Sequence, residues 1–229
     1  MDDANRFAEY RWELNNQHKA LRSALETGAE SQAIEIFLAL HGRLHASQIA
    51  PQSTWSYEDL LLDGLDEVSF RQILQGHEHS VAWIVWHLSR IEDITMNLLV
   101  AGRDQVFEAG NWCEKTCAPY SHTGNGSSLD DVADLSSALD LAALRAYRCA
   151  VGEATREIVS GLKREDFTRN VEKKHLQRVL DERAVFPESC DVVNYWGRKN
   201  VAGLLLMPPT RHTIVHWNEA HRRIISSLR

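Results

Sequence analysis

The chain has 229 residues, 44% of them hydrophobic and 25% charged, a length and balance that suit one globular domain with a substantial core. Its 25 Lys and Arg stand against 32 Asp and Glu, a formal net charge of −7, which argues against broad binding to a phosphate backbone. No stretch approaches the roughly 20 apolar residues that span a bilayer, the acidic start Met1-Asp2-Asp3-Ala4-Asn5 does not read as a signal peptide, and four cysteines are too few for a disulfide scaffold. A soluble protein of a reducing cytoplasm is the expectation.

In chain order, apolar residues recur at helical spacing and strand-like alternation is scarce. Residues 4–26 predict a polar amphipathic helix striped by Phe7, Tyr10, Leu14 and Leu21 and broken at Thr27-Gly28. Residues 31–48 predict a second, with His41 and His45 on its broad face. The stretch 50–75 holds short helical pieces near Glu58–Leu65 and Val68–Leu74. Residues 79–101 form the strongest helix, apolar around so much of its circumference that it must be buried, with a stop at Ala101-Gly102. Residues 103–135 read as a long irregular loop, marked by Pro119 and Gly124-Asn125-Gly126. Helix resumes near Ser137 and runs to Ser160-Gly161. The segment 162–195 is mixed and charged; its basic residues 163–175 are interleaved with Glu165, Asp166 and Glu172 and read as a solvated face. A last helical region, 197–228, is disturbed by Pro208-Pro209, with a fresh start expected at Pro209-Thr210. The four long helices 31–48, 79–101, 137–160 and 197–228 predict an all-α fold, an up-and-down four-helix bundle. Within a single domain of 1–229, residues 1–28 would be an extra N-terminal helix and 29–229 the bundle with its long loop insertion.

Eleven histidines give by chance about half of one His-x-x-x-His pair; two occur, His41/His45 and His212/His216. Such a pair lies on one helix face and can address one ion. Cofactor sites in bundles draw on facing helices, which favours the C-terminal pair. His87 sits in a strongly apolar helix where an unpartnered imidazole is costly; a metal bond or a hydrogen bond to a carboxylate or carbonyl would satisfy it. A third imidazole beside His212 and His216 would make the three-histidine arrangement with an open position that catalytic zinc uses. His41 and His45 are expected exposed or outside the ligand set, and His77 and His79 at the start of the buried helix. His18, His122, His175 and His221 are expected at the surface. Glu219 shares nearly one face with His216 and His212; it either orients a ligand or acts as a base, or, the favoured reading, pairs with Arg222 or Arg223. Glu92 and Asp93 are expected to cap a polar seam. Trp83, Trp86 and Trp217 either wall a pocket or pack the core. Cys113 and Cys117, with His122, form a weak candidate for structural zinc; Cys149 is expected to fill space in a helix.

The run His79-Ser-Val-Ala-Trp-Ile-Val-Trp-His87-Leu-Ser-Arg-Ile-Glu-Asp93, followed by Arg211-His212-Thr-Ile-Val-His216-Trp-Asn-Glu-Ala220, resembles the DinB-like (DinB/YfiT) superfamily. Tyr57-Glu-Asp-Leu-Leu-Leu-Asp-Gly-Leu65 is similar to the linker between the first two bundle helices of such proteins, so the resemblance covers about residues 30–228. It implies a four-helix bundle holding a divalent metal, zinc by default or nickel, through His87, His212 and His216. It further implies a homodimer acting on a small-molecule substrate by metal-dependent hydrolysis or by transfer involving a low-molecular-weight thiol. The name of the superfamily implies no DNA binding. Against the enzyme stand a non-catalytic metal-binding bundle, serving stress response or dimerisation, and a metal-free bundle of packed histidines. An open coordination position would favour the enzyme, and a closed one the binding protein.

Overall fold

The computed structural model describes residues 3–227; Met1-Asp2 and the expected helix end at 228, with Arg229, lie outside the described residues. The α-helices are α1 (Asp3–Thr27), α2 (Glu30–Leu44), α3 (Tyr57–Leu62), α4 (Glu67–Arg71), α5 (Val81–Asp93), α6 (Val106–Ala109), α7 (Trp112–Thr116), α8 (Leu129–Ala138), α9 (Leu141–Ser160), α10 (Lys173–Asp181), α11 (Cys190–Gly197), α12 (Val201–Leu205) and α13 (Thr213–Ser227). Wide π-turns extend two of them, Ile94–Ala101 after α5 and Met207–His212 before α13. Among the described residues there is no strand, only an isolated antiparallel bridge between Asn170 and Asn200. The fold is all-α.

Helix α5 is central. The Ser80 hydroxyl caps it by accepting the Trp83 N–H at 2.9 Å, and every residue from Val81 to Val100 is buried. It packs against α9 and α13, while α2 packs against α3, α9 and the second π-turn. Gly102 ends the run with a φ of 65°, and a Cβ there would lie 2.8 Å from the His175 ring. The stop expected at Ala101-Gly102 is where the helix ends. Helix α1 lies on α2, burying Leu14 and Leu21.

Four expectations need correction. The second helix ends at Leu44 rather than 48, because His45 turns to extended backbone (φ −114°, ψ 168°). The loop after Gly102 is not irregular throughout: α6 and α7 interrupt it. Helix also resumes at Leu129, eight residues before Ser137, nucleated by a capping box in which Ser128 and Asp131 bond each other's backbone, with aspartate in the place where glutamate is the familiar signal. Finally, Pro208-Pro209 do not open a fresh α-helix; they begin the π-turn. Pro209 lacks the N–H that would bond the Leu205 carbonyl, and the Thr210 hydroxyl bonds that carbonyl instead at 2.8 Å. The Thr213 hydroxyl likewise reaches the Pro208 carbonyl at 3.2 Å. Side-chain donors and a widened turn are how a helix absorbs proline.

Candidate metal centre

His87 precedes the first π-turn on α5, His212 closes the second, His216 follows on α13, and α5 and α13 meet in space. His87, His212 and His216 each offer a nitrogen, and these nitrogens lie within 4.8 Å of one another. The Nε2 atoms of His87 and His212 are 3.2 Å apart. Two imidazole nitrogens at about 2.0–2.1 Å from a tetrahedral ion would be about 3.4 Å apart, so the spacing suits coordination as well as an N–H···N hydrogen bond.

The far side of two rings is tied down. His87 Nδ1–H donates to the Thr123 carbonyl at 2.7 Å, which leaves its Nε2 lone pair facing the cluster. His216 Nδ1–H donates to Glu219 Oε2 at 2.8 Å. The other Glu219 oxygen accepts from His79 Nδ1 at 3.0 Å and from Arg223. Such outer partners fix tautomer and ring orientation in metal sites. His212 Nδ1 has no hydrogen-bond partner among the described residues. Trp83 stacks on His87 with centroids 4.5 Å apart and on His79 at 3.7 Å, so the indole braces the site. It leaves little room on its other side: a Cβ on Gly124, whose φ is +83°, would lie 2.9 Å from the indole nitrogen.

Charge agrees with geometry. Burial, then neighbouring His212 and His216, hold His87 well below the usual imidazole range; burial and His216 push His212 down to about 3. Both are neutral near pH 7, the form that ligates metal. Burial works against the Glu219 charge, but hydrogen bonds from His216 and His79, reinforced by Arg223, hold its carboxyl far below the usual carboxylate range. Glu219 therefore both orients a candidate ligand and pairs with Arg223, joining two roles that the sequence set against each other.

A second cluster contains His41, His45 and Glu92, all with 0% exposure. Of the two alternatives expected, exposed or outside the ligand set, burial removes the first: α2 turns that face onto α9 and the second π-turn rather than toward solvent. His41 Nε2 and His45 Nε2 each bond one Glu92 oxygen, at 2.8 and 2.9 Å. Burial opposes the Glu92 charge, but His45 and His41 outweigh it and hold the carboxyl well below its usual range. Burial and the Arg148 guanidinium push His45 down to about 3. These atoms are also close enough to hold an ion. Yet both Nδ1 atoms lack a partner among the described residues, unlike the braced rings of His87 and His216. Hydrogen bonds occupy both carboxylate oxygens, and the cluster forms a buried polar contact between α2 and α5. Asp93 instead accepts the backbone N–H groups of Val106 and Phe107, each at 2.8 Å, and anchors α6.

Other histidines depart from the surface reading. His18, His175 and His221 are buried, because one carbonyl or one flat neighbour suffices for an imidazole: His18 Nε2 meets the Leu206 carbonyl at 2.8 Å, and His221 stacks on Phe7 at 4.0 Å. His122 is sandwiched between Tyr120 and Phe186 and joins no metal-ligating group with Cys113 and Cys117 among the described residues; both cysteines are exposed and free. Thr123 escaped the sequence reading because its backbone carbonyl, not its side chain, does the work. A cavity of about 380 Å³ near Arg103, Glu157 and Arg169 touches none of the three histidines or their anchors.

The helical fold and the paired histidine segments define a class of helical protein able to hold a metal ion. A model of the DinB superfamily matches residues 52–186, and the chain belongs to that superfamily. The match includes His87 and stops before His212 and His216. Among curated proteins none matches this chain.

Proposed function

We propose that the protein is a metal-dependent enzyme in which His87, His212 and His216 hold one divalent ion, zinc by default and nickel as the alternative. The observation that carries this is the facing pair of Nε2 atoms 3.2 Å apart, with the opposite nitrogens of His87 and His216 anchored. Without an ion, the two neutral rings either turn lone pairs on each other or depend on a single shared proton. A divalent ion on three neutral imidazoles keeps its full charge and lowers the pKa of a water or small thiol, generating a nucleophile near neutral pH. Hydrolysis and thiol transfer are the two reactions this supports. The residues' own tasks are separable: Thr123 and Glu219 hold ring orientation, Trp83 shields one face of His87, and His79, partly exposed, connects Glu219 toward solvent. His212 and His216 are partly exposed, which favours an open, reactive coordination position over a closed structural one.

The four-helix arrangement of α2, α5, α9 and α13 as an up-and-down bundle within one domain belongs to the same proposal, as do a cytoplasmic location and a homodimer. Among the described residues no helix is long and apolar enough to cross a membrane. Trp12, 68% exposed on α1, offers an apolar contact for a second copy.

Elemental analysis tests the centre. Wild type should carry about one divalent ion per chain, and a His87→Ala/His216→Ala double variant should lose it. Wild type without metal after incubation with zinc or nickel would overturn the proposal.

A further inference from the structure

We propose that a cavity beside His212 is the docking pocket for the substrate, and that it accepts a neutral group built on a single aromatic ring. The role as a substrate pocket rests on the metal-centre proposal; the binding of the ring does not. The cavity measures about 190 Å³. Three of its walls are continuous with the centre. His212 contributes its own ring. Ile91 lies one turn after His87 on α5, on the same face. Asn125 follows two residues after Thr123, the anchor of His87, and its side-chain carbonyl accepts the Thr123 hydroxyl at 2.7 Å. The remaining walls come mainly from Val192 and Trp196 on α11 and from Met207 and Pro208 on the turn that carries His212.

Size and chemistry choose the ligand. No Asp, Glu, Lys or Arg lines the cavity, so a phosphate or carboxylate entering it would lose water without gaining a counter-charge. An apolar cavity of about 150 Å³ holds a benzene molecule; the larger volume here suits one six-membered ring with one or two further heavy atoms. The indole of Trp196 and the thioether of Met207 favour a flat π-system over a branched alkyl group. The Asn125 NH₂ group remains as a donor for one oxygen on the ligand. Tyr195 also lines the cavity, but of its walls His212 alone belongs to the metal centre, so the reactive substituent of the ring belongs on that side.

The test uses the full chain stripped of metal, so its outcome is independent of whether the centre binds an ion. Dissociation constants are measured by NMR titration for benzyl alcohol, for propane-1,2-diol and for 2-naphthylmethanol, on wild type and on Val192→Trp and Met207→Ala variants. Val192 and Met207 are only half-buried, and neither is a ligand or an anchor. Wild type should bind benzyl alcohol at least about tenfold more tightly than the diol. Val192→Trp, which fills the cavity, should weaken benzyl alcohol by about tenfold or more, and Met207→Ala, which enlarges it, should shift preference toward the two-ring alcohol. Equal binding of benzyl alcohol and diol, or benzyl alcohol binding unchanged in both variants, would overturn the pocket while leaving the metal stoichiometry as a separate question.

Discussion

At the scale of the residue, the centre depends on what stands behind each imidazole. Glu219 bridges His216, His79 and Arg223, so its charge is balanced although it is largely withdrawn from water. Replacing it with Gln keeps the shape but weakens the acceptor and removes the charge. We expect Glu219→Gln to lower metal affinity by about 10–100-fold, measured by competition with a chromophoric chelator; affinity equal to wild type would show that His216 needs no carboxylate behind it. The His41–Glu92–His45 seam differs in kind. Its two Nε2 atoms each meet one Glu92 oxygen within the core, and it places a charge-assisted contact between α2 and α5, a stronger bond than a neutral pair.

At the scale of the element, the turn Met207–His212 decides where His212 points. Two prolines remove two backbone donors, and Thr210, wholly buried, supplies its hydroxyl to the stranded Leu205 carbonyl. Thr210→Val preserves shape and deletes the donor. An unpaired buried carbonyl costs about 1–3 kcal/mol, which should appear as a lower urea midpoint with an unchanged slope. Because the turn also carries His212, the same variant should bind metal more weakly. A stability loss without any change in metal affinity would separate the turn from the centre.

At the scale of the molecule, buried histidines set the response to acid. Burial lowers His45 to about 3 and His122 to about 4, and it lowers His18 and His221 as well. In the unfolded chain these groups take up protons near their ordinary value of 6.5. Below that pH the unfolded state therefore binds more protons, so the stability is fully present above it and is lost as pH falls toward the folded values. For a fully buried group such as His45 the slope approaches about 1.4 kcal/mol per pH unit. Glu58 and Asp93, whose carboxyls burial raises against the pull of Arg148 and Arg90, act in the opposite sense at more acid pH. Urea midpoints of the metal-free protein should fall from about pH 7 to about pH 5.5, and midpoints that stay level would contradict this assignment of neutral buried histidines.

The sequence by itself determined the helical class, the buried helix at 79–101 with its stop at Gly102, and the three histidines that the structure brings together, because helical periodicity and i,i+4 spacing are local properties of the chain. It hid the start of α8, since Asp131 stands where a glutamate would have announced the cap. It also hid the burial of His41 and His45, because an amphipathic face does not say which neighbour will cover it. Only the tertiary structure decided that Thr123, from a loop 36 residues away, would hold His87, and that Glu219 would serve His216, His79 and Arg223 together. Those contacts join segments far apart in the chain, and one of them uses a backbone carbonyl that every residue type possesses. Packing selects such partners by position, so residue type alone carries no mark of them.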